Sequence, residues 1–117
     1  MAKDYHAATY STRPDNLYDD VLLACACALA DDRGFFRAAA IEGPLSTIKG
    51  KPYKVPAFAR HLEAFRSDER RRILVREGSP KYYRLRFRDP LLQPYVVMRG
   101  LRAGEITDAD LRQFRAG

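Results

Sequence analysis

Tryptophan is absent from this 117-residue chain, histidine and cysteine occur twice each, and every apolar run falls short of the roughly 18 to 20 residues a membrane-spanning helix needs. With so few histidines and cysteines, no metal site is expected: His61 has no second ligand at a suitable spacing, and His6 lies near the N-terminus. Met1-Ala2-Lys3-Asp4-Tyr5-His6 lacks the apolar stretch of a signal peptide, so a soluble, reduced, cytoplasmic protein is expected. Cys25 and Cys27 sit two apart, and on a helix they point about 200° away from each other, so they can neither bridge nor share a metal while the helix holds. Burial as small hydrophobes is the expectation for both.

The length suits one domain with one core. Hydrophobic residues make up 46% and charged residues 31%, with a net charge of +6 that is unevenly spread. Ile48 to Arg88 holds 13 Lys or Arg against 4 Asp or Glu, a balance of +9; the remainder holds 8 against 11, a balance of −3. A basic segment between acidic flanks is the footprint of a polyanion-binding face, and ordinary solvated charge is its plain competitor.

Residues 1–14 show no hydrophobic period and contain Ser11, Thr12 and Pro14, which predicts a loosely held arm. Leu17, Val21, Leu22, Cys25 and Leu29 then recur as a buried helical stripe, predicting a first helix over 16–31 with Asp15 or Asn16 as its cap and Gly34 as its stop. Phe35-Phe36 is long enough only for a single bridge of strand. A second helix is expected over 38–49, broken or kinked at Pro44, and a third over 56–66, opened by Pro56 and carrying Phe58, Leu62 and Phe65 inward. Its outer face would carry Arg60, His61, Glu63 and Arg66. Ile73 to Glu77 and Tyr82 to Arg88 flank Gly78-Ser79-Pro80-Lys81 as a β-hairpin, with Tyr83, Leu85 and Phe87 alternating against four outward side chains. A fourth helix, capped by Asp89 and begun at Pro90, would turn Leu91, Tyr95, Met98 and Leu101 inward, and Thr107 would start a short last helix through Phe114.

The predicted order is α-α-α-β-β-α: a mainly α winged helix with a β-hairpin, occupying 15–106 between the arm and a 107–117 tail. In such folds the third helix enters the major groove and the hairpin lies along phosphates or the minor groove. The candidate nucleic-acid contacts are therefore Lys49, Lys51, Lys54, Arg60, His61 and Arg66 along one edge, and Arg84, Arg86 and Arg88 on the wing.

A resemblance adds to this reading. Leu17-Tyr18-Asp19-Asp20-Val21-Leu22-Leu23-Ala24-Cys25-Ala26 is followed by Gly43-Pro44-Leu45-Ser46, Gly50-Lys51-Pro52-Tyr53 and Pro56-Ala57-Phe58-Ala59-Arg60-His61-Leu62. Arg84-Leu85-Arg86-Phe87-Arg88-Asp89-Pro90 and Gln93-Pro94-Tyr95-Val96 come later. Over roughly 15–106 this string resembles the C-terminal region of bacterial AAA-type ATPases similar to origin-recognition and replication-initiation ATPases, which end in a winged helix. The resemblance implies an ATPase module upstream, binding ATP and magnesium there, with Met1 as an expression start.

No catalytic apparatus or cofactor site is read in the chain itself. Six residues rather than four separate Gly43 from Gly50-Lys51, and Pro52 stands where a phosphate loop needs Ser or Thr for magnesium. Ser46-Thr47-Ile48-Lys49 matches the Ser-x-x-Lys pattern of acylating hydrolases without its companion motifs. Two functional readings remain. One is DNA binding through the basic edge and wing; the other is a protein-interaction or regulatory module on the ATPase domain or a partner, anchored by Tyr53, Tyr82 and Tyr95. Arginines that only keep a sheet edge soluble are the structural alternative for the hairpin.

Overall fold

A computed structural model describes residues 1–11 and 17–116. Among them the chain is mainly helical with one two-stranded antiparallel hairpin: α1 (Ala2–Thr9), α2 (Tyr18–Cys27), α3 (Ala39–Lys49), α4 (Val55–Ala64), β1 (Leu74–Gly78), β2 (Tyr83–Phe87), α5 (Leu92–Arg102) and α6 (Asp108–Arg115). A 3₁₀ turn, Asp68–Arg70, links α4 to the hairpin. No helix among the described residues is long and apolar enough to cross a membrane.

The core is built around α2, in which every residue from Val21 to Cys27 is buried. A helix hydrophobic all round must be enclosed on every side, and α3, α4, α5, α6 and α1 all pack on it. The helix ends at Cys27 rather than at the expected 31: the chain turns extended at Ala28, and Leu29, expected inward, is 48% exposed. Gly34 does adopt a positive φ, but in a turn closed by Asp31 well past the helix, so it stops nothing. The caps expected from Asp15 or Asn16 lie outside the described residues.

The loose arm expected over 1–14 is, from Ala2 to Thr9, a helix instead. Ala8 and Thr9 are buried, and the Arg70 guanidinium donates to the Ala8 and Tyr10 carbonyls at 2.6 and 3.0 Å. Contacts from a residue some sixty positions away hold a segment whose own periodicity is too weak to announce it.

Helix α3 runs unbroken through Pro44, which is itself buried. Two of its side chains fix the start of α4: Ser46 Oγ accepts from the Tyr53 amide at 2.9 Å, and Glu42 Oε2 from the Val55 amide at 2.8 Å. Pro56 then occupies the first turn, and Phe58, Leu62 and Phe65 enter the core as expected.

The hairpin register pairs Leu74 with Phe87, Arg76 with Leu85 and Gly78 with Tyr83. Leu85 and Phe87 are buried, and Phe36 adds the expected single bridge, exchanging two 2.8 Å bonds with Leu85. At Gly78, φ is +107 and an added Cβ would lie 2.4 Å from the Tyr82 carbonyl oxygen, so this turn requires glycine.

The phase of α5 differs from the expected one. Leu92, Val96, Val97 and Gly100 face the core, whereas Leu91 is 63% and Met98 54% exposed. Gly100 is the reason. A Cβ there would stand 2.7 Å from Leu23 Cδ1, so its bare backbone lets α5 approach α2, and the rotation that seats it turns Leu91 and Met98 outward. Asp89 holds the preceding turn through the Leu91 amide at 3.0 Å, and α5 begins at Leu92 rather than Pro90. Helix α6 opens on a capping box between Thr107 and Asp110, close to the expected boundary.

Candidate nucleic-acid interface

Helix α4 and the turn before it present the first part of the basic edge. Lys51 and Lys54 are exposed, with the Lys51 ammonium 5.6 Å from the Tyr53 ring, and Arg60 is exposed on the outer face. The other outward positions of that face are Pro56, Ala57, Ala59 and Glu63. Arg60 is thus the one outward cation of α4, on a face otherwise made of small apolar side chains and Glu63.

His61 does not belong to this edge. It is only 3% exposed, lies on the core side of α4 between Phe58 and Phe65, and meets the Tyr18 ring edge-on at 4.7 Å between centroids. Its Nδ1 is buried with no hydrogen-bond partner among the described residues. Burial, with Arg60 and Arg70 nearby, holds its pKa below the ordinary histidine value. A neutral imidazole sealed beneath Tyr18 reaches neither phosphate nor base.

Two more of the expected contacts are engaged with carboxylates. Lys49 Nζ donates to Asp20 Oδ2 at 3.0 Å, joining α3 to α2. Arg66 donates to both carboxylate oxygens of Glu63, at 2.7 and 2.8 Å. Ser46 and Lys49, the two ends of the Ser-x-x-Lys motif, are thus both engaged in contacts between elements of the fold.

On the hairpin the three arginines separate. Arg84 faces Glu77 across the ladder, donating at 2.5 Å, and lies 3.7 Å from Asp31, so the clamp expected of it is turned onto the protein's own acids. Its charge lowers the pKa of both: Glu77 mainly through the Arg84 hydrogen bond, and Asp31 mainly through the Phe35 amide it accepts, with Arg84 adding to this. Arg86 is half-buried, 5.5 Å from the Phe35 ring centroid, at the edge of a groove beside the hairpin. Arg88 is exposed after β2. Lys81 and Tyr82, which is 72% exposed, stand at the tip, a cation beside an aromatic that was not among the expected contacts.

The expected edge therefore reduces to Lys51, Lys54, Arg60 and Arg88, joined by Lys81. Among the described residues none of these has a carboxylate within ion-pair distance. The described residues contain no cluster of three or more His, Cys, Asp or Glu able to hold a metal ion. No protein-family model, no curated protein and no solved structure matches the chain.

Proposed function

We propose that the chain is a non-catalytic winged-helix module that contacts duplex DNA through phosphates, without strong sequence preference. The element order supports the fold reading: α2, the Phe36 bridge, α3, α4 and the β1–β2 hairpin follow one another as the helices and wing of a winged helix do. The observation that carries the functional reading is the set Lys51, Lys54 and Arg60, at the start and on the outer face of the helix that precedes the hairpin, none of which has an ion-pair partner among the described residues. Arg88 and Lys81 extend the charge onto the hairpin. Base reading is weak because Pro56, Ala57 and Ala59, outward with Arg60, offer no hydrogen bond to a base edge, and the carboxylate of Glu63 is engaged by Arg66.

Four phosphate contacts, by Lys51, Lys54, Arg60 and Arg88, predict a slope of about −3.6 in log affinity against log salt, or a loss of roughly a hundredfold between about 50 and 200 mM. Fluorescence anisotropy with a labelled random-sequence duplex measures this. Lys54→Ala with Arg60→Ala should flatten the slope by about 1.8. No binding at low salt, or an unchanged slope in the double variant, refutes the reading.

A second reading is favoured by α5. Leu91, Tyr95 and Met98 recur at helical spacing on a face only partly covered, the pattern of a helix that docks against another protein surface. The ATPase domain implied by the resemblance is the partner this reading assigns. Failure of the DNA titration at low salt would transfer the assignment to it.

A further inference from the structure

A groove of about 560 Å³ opens where the end of α2, the 28–36 loop, β2, the start of α5 and the end of α6 converge. Its size lies within the roughly 300 to 1,000 Å³ of small-ligand sites. The apolar part of its lining is Ala28, Phe36 and Phe87, each largely buried, with Leu29 exposed. Three arginines from three separate segments line it, Arg33, Arg86 and Arg115, against one acidic residue, Asp32, a surplus of two positive charges. Among the described residues none of the three arginines has a carboxylate within ion-pair distance. The Arg33 and Arg86 guanidinium carbons lie 5.9 and 5.5 Å from the Phe35 ring centroid, so one buried ring gathers the two charges.

We infer that this groove binds a small amphipathic anion, with an oxyanion head held by Arg86 and Arg115 and an apolar body against Phe36, Phe87 and Leu29. Guanidinium forks match the paired oxygens of a carboxylate or phosphate. The apolar walls would desolvate the remainder of the ligand, and desolvation strengthens the head-group contacts. The site is independent of the DNA reading, whose contacts lie at Lys51, Lys54, Arg60 and Arg88; Arg86 moves from that surface to this one.

The probe is 8-anilinonaphthalene-1-sulfonate, an oxyanion on an aromatic body, titrated by fluorescence against the folded chain. Saturable one-to-one binding is expected, with much weaker binding of the uncharged N-phenyl-1-naphthylamine. Octanoate and octyl phosphate should both displace the probe, and the stronger competitor identifies the head group. Arg86→Gln and Arg115→Gln should each weaken binding about tenfold, as expected for loss of one charge-assisted hydrogen-bonding partner. Ala30→Trp, at an exposed position lining the groove, should abolish binding by filling it while leaving the circular dichroism unchanged. Equal binding of the neutral probe, failure of both competitors, or unchanged affinity in Arg115→Gln or Ala30→Trp would overturn the assignment. Loss of DNA binding by Lys54→Ala with Arg60→Ala, with probe binding intact, would separate the two surfaces.

Discussion

Lowering the pH should destabilise the protein through His61, and the direction follows from its surroundings. The imidazole is buried, its Nδ1 is unpartnered among the described residues, Tyr18 covers it from α2, Phe58 and Phe65 flank it on the chain, and the nearest charges, Arg60 and Arg70, are positive. Its folded pKa is therefore depressed, first by burial and then by those two cations. In the unfolded chain it titrates near 6.5. Below that pH the unfolded state binds the proton and the folded state refuses it, so stability is complete above about pH 6.5 and falls as the pH drops toward the folded pKa. The limiting slope is about 1.4 kcal/mol per pH unit. Asp19 and Glu105 act in the opposite sense at lower pH: burial raises their pKa, so the folded state takes up their protons more readily. His61→Phe keeps a ring of similar size beneath Tyr18 and removes only the histidine term. Urea unfolding followed by far-ultraviolet circular dichroism from about pH 7.5 to 5 should show the wild type losing stability relative to His61→Phe through the lower half of that range. A difference that stays constant with pH would refute the neutral, buried assignment.

Three further substitutions or treatments probe other parts of the structure. Thr107→Ala removes one half of the capping box of α6 and should cost about 1 kcal/mol in chemical denaturation. Gly78→Ala forces a Cβ onto the Tyr82 carbonyl at a positive φ, and should lower stability by roughly 1 to 3 kcal/mol; a neutral result would show that the hairpin turn relaxes freely. Burial pushes the Cys27 thiol up to about 12 and that of Cys25 higher still, so neither should react with a disulfide reagent at about pH 8 until the chain is unfolded. Rapid labelling of the native protein at either position would contradict the packing of α2.

What could be read from the sequence depended on how local the deciding contacts are. The hairpin was legible because Tyr83, Leu85 and Phe87 alternate on one strand and Gly78 marks the turn, and the pairing of Glu77 with Arg84 follows from the register once the turn is placed. His61 was misplaced by residue type, although its position carried the signal: it stands three residues after Phe58 and four before Phe65, on the same helical stripe. Helix α5 offered two apolar stripes one position apart, and periodicity alone cannot choose between them. The choice was made by Gly100 against Leu23, a contact between residues far apart in the chain in which the smallest side chain, not the most apolar, sets the face.

The same distance in sequence explains the candidate surfaces. A charge count over 48–88 identifies a basic segment but cannot say which cations are spent. Asp20 claims Lys49 from another helix, and Asp31 lies beside Arg84 from a loop more than fifty residues earlier. Arg86 illustrates the consequence. Alternation along the strand makes it an outward residue equivalent to Arg84 and Arg88, yet the fold sets its guanidinium 5.5 Å from the Phe35 ring centroid and makes it part of a groove lining shared with Pro90 and Arg115. Three arginines two apart, two on β2 and one just after it, thus have three different environments: an internal ion pair, a groove wall and open solvent. A surface assigned from that spacing averages over them, and the phosphate contacts are better sought at the cations that have no acid within ion-pair distance among the described residues, Lys51, Lys54, Arg60 and Arg88.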